Sequence, residues 1–314
     1  MALETLAFVF PGQGSQSVGM LGELAAREPM VEETFVEASD ALGFDLWALA
    51  KEGPGETQNL TENTQPLVLT ASVALWRVWS QRSEHRPAQM AGHSLGEFSA
   101  LVCAGALPFA EAVDLVRQRG QFMQTAVPVG VGAMAAIIGL ADEHINEACE
   151  QAAANEVVAA VNYNSPGQVV IAGHAAAVQR AADLCKEAGA KRALPLPVSA
   201  PFHTSLMKPA GEQLDRVLQG ISVCAPAIPV IHNVHAKAEQ DPEKIRQLLV
   251  EQISSPVPWV SCVSALTANS AEHLVECGPG KVLSGLTRRI DKSLTSSNLQ
   301  TVEDFDKLLQ ALAA

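Results

Sequence analysis

Residues 88–106 read AQMAGHSLGEFSALVCAGA, and the fold turns on how that stretch is parsed. Residues 88–92 form a short apolar run, Gly92-His93-Ser94-Leu95-Gly96 fits G-x-S-x-G, and 97–106 continue as an apolar helical pattern. Strand, sharp turn and helix in that order let flanking glycines lift a serine Oγ clear of a sheet. The five-residue pattern alone is common, so its context carries the weight. On this reading Ser94 is a nucleophile. The plainer alternative is a glycine-rich turn whose serine caps the next helix. A helix starting after Ser94 directs its positive end at the hydroxyl, which favours an oxyanion there, and the backbone N–H of Leu95 is the expected first donor.

Working outward, residues 6–10 form a compact apolar run that stops at Pro11-Gly12, as a buried strand entering a tight turn does. The loop Gly12-Gln13-Gly14-Ser15-Gln16 is the best candidate for the second oxyanion donor, because its glycines permit close backbone approach. It reads equally as a plain turn, and with no following lysine it is unconvincing as a phosphate loop. Helical patterns cover 66–81 and 109–126. From 132 the rhythm changes to strand 132–139, helix 142–153, strands 157–163 and 168–173 joined by Asn164-Ser165-Pro166-Gly167, helix 175–188 and strand 192–197. That order, β-α-β-β-α-β, is the split βαβ pattern. The expected architecture is α/β: a large α/β-hydrolase-like domain with a short parallel sheet (1–127 and 198–314). Into it is inserted a small ferredoxin-like subdomain (128–197). Further strands are expected at 230–233 and 273–277.

The 314 residues are 48% hydrophobic and 18% charged, enough for one large core and a smaller one. Lys and Arg number 21 against 34 Asp and Glu, a net charge of −13, which argues against nucleic acid or an anionic membrane as partner. Six scattered cysteines with no C-x-x-C pair read as buried small hydrophobes of a reducing compartment. The N-terminal apolar run is too short for a signal or spanning segment, so a soluble cytoplasmic protein is expected.

Eight histidines compete for the role of base. His93 adjoins Ser94 and should diverge from its Oγ on a sharp turn. His232 and His235 form H-x-x-H without companion ligands, and His85 lies in a polar, solvated run. His203 is expected at the start of a helix over 204–218, where the dipole disfavours the imidazolium and keeps the ring able to accept a proton. An ordinary buried histidine remains the alternative. Arg119 stands out for another reason. Leu115, Val116, Phe122 and Met123 surround it on its helix, whereas Arg117 has Asp114 and Gln121 beside it. A guanidinium turned to the core needs an anion, either a protein carboxylate or a substrate carboxylate held by its fork.

Together these segments resemble the malonyl-CoA:acyl carrier protein transacylases of bacterial fatty acid synthesis. The resemblance runs nearly end to end, through FPGQGSQ (10–16), GHSLGEFSALV (92–102), RGQFMQ (119–124), NYNSPGQVVIAG (162–173), APFHTSLM (200–207), VEQISSPVPW (250–259) and ECGPGKVLSGL (276–286). It implies a ping-pong transfer of malonyl from malonyl-CoA to the phosphopantetheine thiol of acyl carrier protein. Ser94 would be acylated, with His203 as base. Gln13 and Leu95 would supply oxyanion donors, Arg119 would grip the malonyl carboxylate, and the main-chain carbonyl of Gln252 would orient His203. No cofactor or metal is implied, since coenzyme A belongs to the substrate. One departure is Phe202, where many bacterial members carry a smaller residue; in related polyketide acyltransferases a Phe there accompanies malonyl over methylmalonyl. The carrier is acidic in this family, so a local basic surface is expected at Lys208, Lys281, Arg288 and Arg289. Three other readings compete. They are a serine thioesterase or esterase, an acyltransferase serving a polyketide carrier, and a non-catalytic carrier-binding scaffold.

Overall fold

The computed structural model describes residues 2–198 and 200–313. These contain strands β1 (Ala2–Phe10), β2 (Arg86–Gly92), β3 (Gly132–Ile138), β4 (Val158–Ser165), β5 (Gln168–His174), β6 (Arg192–Pro195), β7 (Val230–His232), β8 (Lys237–Ala238), β9 (His273–Glu276) and β10 (Thr295–Asn298). Six make one sheet in the order β10-β9-β1-β2-β7-β8, parallel except for the β7–β8 pair. Leu6–Phe10 are wholly buried at its centre, which is why that strand reads as an unbroken apolar run and not as an alternation. Helices cover both faces. Thr61–Arg82 and Phe109–Thr125 pack with the core that holds Phe8, Leu67, Leu75 and Leu115, while Trp259–Ala268 and Val282–Ile290 cover the other side with Ala7, Val9 and Leu274.

Phe10 pairs with Gly92, so β1 and β2 end level and both following turns emerge at the carboxyl edge of the sheet. His93 N–H donates to the Phe10 carbonyl at 3.0 Å, tying the two turns together. Ligands of parallel sheets collect at this edge.

The second sheet is antiparallel, in the order β4-β5-β3-β6, with helices Asp142–Ala153 and Ala175–Glu187 on one face. Alternate residues of β3 divide its two sides: Ala135 and Ile137 enter a local core with Ile145, Ile171 and Cys185, whereas Met134 joins the main core.

Several boundaries differ from expectation. The turn between β4 and β5 shrinks to Pro166-Gly167, because pairing runs on to Ser165 and Gln168. The helix expected over 204–218 is a 3₁₀ turn, Ser205–Met207, followed by an α-helix, Lys208–Leu218, in which Pro209 occupies the first turn, where its missing N–H costs nothing. The polar edge strand Thr295–Asn298 and the two-residue β8 carry no apolar pattern and went unforeseen. Cys224 is exposed, contrary to the reading of all six cysteines as buried. No described helix is long and apolar enough to cross a membrane.

Gly96 shows why the turn tolerates no side chain. A Cβ there would lie 2.0 Å from the Phe10 carbonyl oxygen and 2.9 Å from that of Pro11, both backbone atoms. Gly96→Ala is therefore expected to destabilise the protein by roughly 3 kcal/mol in urea unfolding. Gly285→Ala, in helix Val282–Ile290 with open space around it, should instead gain roughly 0.5–1 kcal/mol. Equal effects at the two positions would contradict the close approach.

Candidate active site

Ser94 sits between β2 and helix Leu95–Cys103 with φ 52° and ψ −108°. A non-glycine residue at positive φ persists only where its surroundings over-determine it. Here Asn233 does so: its Oδ1 accepts from Ser94 N–H at 2.8 Å and its Nδ2 donates to the Gly92 carbonyl at 2.7 Å. The Ser94 hydroxyl is 2.8 Å from His203 Nε2, and His203 Nδ1 is 3.0 Å from the Gln252 carbonyl oxygen. A carbonyl can only accept, so the ring proton resides on Nδ1 and Nε2 is left free to take the serine proton.

His203 is held neutral, but not by the means expected from the sequence. The residue precedes a 3₁₀ turn, not an α-helix, and the Leu206 N–H of that turn donates to the Thr204 side chain. Burial comes first in lowering its pKa, to about 3, with the neighbouring Arg119 cation next and the Gln252 carbonyl opposing them. Its backbone also adopts positive φ, 63°.

Arg119 is only 1% exposed, with Leu115, Val116 and Met123 buried around it, as the helix pattern required. Its Nη1 donates to Gln65 Oε1 and its Nη2 to Gln252 Oε1, each at 2.9 Å, and Nη2 also lies 3.2 Å from Ser94 Oγ. The ring of Phe98 sits 5.2 Å from the guanidinium carbon. Among the described residues no carboxylate touches this cation, and its Nε has no partner. Burial lowers its pKa to about 10, with Glu97 pulling the other way, so the group stays charged at neutral pH. Two amide oxygens and a hydroxyl accept from its Nη1 and Nη2 without neutralising it, and the positive charge remains available to an incoming anion.

These groups line a cavity of about 140 Å³ together with Gln13, Leu95, His93 and Met123 from the large unit and Met134 and Asn162 from the small one. Leu196, Val198 and Phe202, on the segment returning from the small sheet, close it with an apolar wall. All six sequence candidates therefore converge: Ser94, His203, Arg119, Gln13 and Leu95 line the cavity, and Gln252 reaches it through His203 and Arg119.

Other expectations fare differently. His93 turns away from the serine, its Nε2 2.8 Å from Asn164 Oδ1. His232 is fully buried against Glu97, Nδ1 to Oε1 2.7 Å, and the His235 ring packs edge-on to it at 6.1 Å; among the described residues no group of three His, Cys, Asp or Glu side chains is placed to hold a metal ion. His85 is half-buried, not solvated. Arg117 is likewise half-buried, donating to the Leu42 carbonyl at 3.2 Å and lying over Phe44. Lys208, Lys281, Arg288 and Arg289 are all exposed. The sequence reading missed Gln65, Glu97 and Asn233. Glu97 alone left a trace, as an acidic residue inside an otherwise apolar helix.

The acyl transferase domain family matches residues 7–303. The malonyl CoA-acyl carrier protein transacylase of Salmonella typhimurium is 62% identical over 293 residues, 93% of this chain and 95% of that one. The solved malonyl-CoA:acyl carrier protein transacylase of Xanthomonas oryzae pv. oryzae superposes with a TM-score of 0.97 at 53% identity, covering 99% of each chain. A malonyl-transacylase solved in complex with a type II PKS acyl-carrier protein superposes with a TM-score of 0.96, also at 53% identity, covering 98% of this chain and 99% of that one.

A base this difficult to protonate sets the pH response of the serine. Modification of Ser94 by a sulfonyl fluoride should keep its rate from about pH 8 down to about pH 5, since Nε2 stays unprotonated throughout. A midpoint near 6.5, the value of a solvated histidine, would contradict the neutral ring.

Proposed function

The chain belongs to the acyl transferase domain family, and from the charge left in its cleft we infer that it transfers the malonyl group of malonyl-CoA to the phosphopantetheine thiol of holo acyl carrier protein. The product supplies fatty acid elongation. The observation that carries the acyl-group assignment is the buried Arg119, which no carboxylate contacts among the described residues, 3.2 Å from Ser94 Oγ.

In the proposed scheme His203 Nε2 takes the Ser94 proton as Oγ attacks the thioester carbonyl. The oxyanion that forms accepts hydrogen bonds from the backbone N–H groups of Leu95 and Gln13. As the C–S bond breaks, the imidazolium returns its proton to the coenzyme A thiolate, leaving malonyl on Ser94 as an ester. The carrier thiol then gives its proton to the same nitrogen and attacks the ester, and Oγ is reprotonated as it leaves. The Gln252 carbonyl holds the ring in the productive tautomer and stabilises the imidazolium less than a carboxylate would. The Arg119 fork grips the malonyl carboxylate, for which a planar bidentate donor suits better than lysine. Phe202 crowds the acyl α-carbon beside His203. No cofactor enters these steps; coenzyme A is consumed as part of the substrate.

The strand order of the small unit, second-third-first-fourth, supports the finer description of a ferredoxin-like insertion (128–197) in a hydrolase-like domain (1–127 and 198–314). Exposed Lys208, Lys281, Arg288 and Arg289 are proposed to receive the acidic carrier. The relative solved with a type II PKS acyl-carrier protein favours a second reading of the acceptor, in which a polyketide carrier is also served. A cytoplasmic setting is proposed from the scattered free cysteines.

Intact-mass measurement after mixing with malonyl-CoA tests the scheme. Wild type should gain one malonyl group and Ser94→Ala none; an adduct on the Ser94→Ala protein would end the proposal. Arg119→Ala should slow malonyl loading by about two to three orders of magnitude, the loss expected for one partner of a buried charge pair, while acetyl loading changes little. Equal losses for malonyl and acetyl would refute the clamp.

A further inference from the structure

Beneath the serine lies a second polar layer, centred on a carboxylate that takes no part in the chemistry above. Glu97, fully buried, accepts three hydrogen bonds: Oε1 is 2.7 Å from His232 Nδ1, and Oε2 accepts from Asn233 N–H at 2.9 Å and from Gln252 Nε2 at 2.8 Å. The other Nε2 hydrogen of Gln252 goes to the Ser94 carbonyl at 3.0 Å. Both amide hydrogens are thus committed to acceptors. Reversing the amide would set its oxygen against a carboxylate and a carbonyl, with no donor on either. Gln252 Oε1 must therefore face Arg119, where it accepts at 2.9 Å, while the same residue's carbonyl accepts from His203.

We propose that Glu97 is a positioning residue: by fixing the side-chain amide of Gln252 it sets the place of the acyl-selecting guanidinium and of the general base together. The inference rests on the proposed roles of Ser94, His203 and Arg119. Two links connect the carboxylate to Arg119 and to His203, Glu97–Gln252–Arg119 through the side-chain amide and Glu97–Gln252–His203 through the residue's backbone. What matters is reach. The acceptor oxygen must stand within hydrogen-bond distance of Nε2, and a displacement of about 1 Å at such a site can cost about a hundredfold in rate.

Two conservative substitutions separate reach from charge. Glu97→Gln keeps the length; its oxygen can accept from Asn233 and Gln252, and its NH₂ can face His232 Nδ1 once that ring moves its proton to Nε2, an atom without a partner among the described residues. Glu97→Asp keeps the charge but withdraws the oxygens by about 1.5 Å, one carbon–carbon bond. Rapid-quench acylation by malonyl-CoA and acetyl-CoA, scored by intact mass per folded molecule, reads both. Glu97→Gln should stay within about fivefold of wild type, and Glu97→Asp should lose about a hundredfold with malonyl. The malonyl-to-acetyl ratio should also fall in Glu97→Asp, which a loss of stability alone would not produce. The reverse order, equal rates in both variants, or failure of both to fold would overturn the positioning role. Absence of a Ser94 adduct in wild type would instead refute the catalytic scheme, so the two failures are told apart.

Discussion

A deeply buried cation that no carboxylate touches among the described residues is the constraint on which this molecule is built. Burying a guanidinium is costly, and proteins usually offset that cost with a contacting carboxylate. Here the direct partners are the neutral oxygens of Gln65, Gln252 and Ser94, and the nearest influence of opposite sign, Glu97, acts from behind an amide. Burial keeps His203 unprotonated and the cation adds to that effect, while the same charge leaves an attraction for carboxylate beside the nucleophile. One buried charge thus bears on reactivity and on selection.

The rest of the fold serves to hold that charge within reach of the serine. Parallel β1 and β2 end level, delivering the Gln13 loop and the Ser94 turn to one edge. Helix Phe109–Thr125 brings Arg119 in from one side, the segment after the small sheet brings His203 from another, and the end of helix Pro242–Gln252 supplies the oxygens that hold both. None of these elements is adjacent in sequence.

That separation explains what could be read in advance. Ser94 announced itself through glycines whose absent Cβ atoms have no room, and Arg119 through four apolar neighbours at helical spacing; both are local signals. Gln252 has no local signal, because its role is set by atoms 49 to 158 residues away, and only resemblance to a family draws attention to it. Glu97 and Asn233 bond across 136 residues and were missed for the same reason. His203 does stand 2.8 Å from the Ser94 hydroxyl, but the dipole expected to keep it neutral belongs to a helix that begins only at Lys208, and desolvation supplies the effect instead. The large sheet's core strands were legible as apolar runs, while its edges, Lys237–Ala238 and Thr295–Asn298, are polar and were not.

The chain leaves for the small sheet just after the Arg119 helix and returns just before His203, so the excursion is bracketed by two groups anchored on the main scaffold. It contributes Met134 and Asn162 to the wall of the cavity but no residue that reacts. Such a segment behaves as an exchangeable mould. Its sequence can drift, widening or narrowing the room for an acyl chain, without disturbing the machinery that makes and breaks the ester. A substitution at 134 or 162 would thus re-cut the room for the acyl chain while leaving the bond-making groups where they stand.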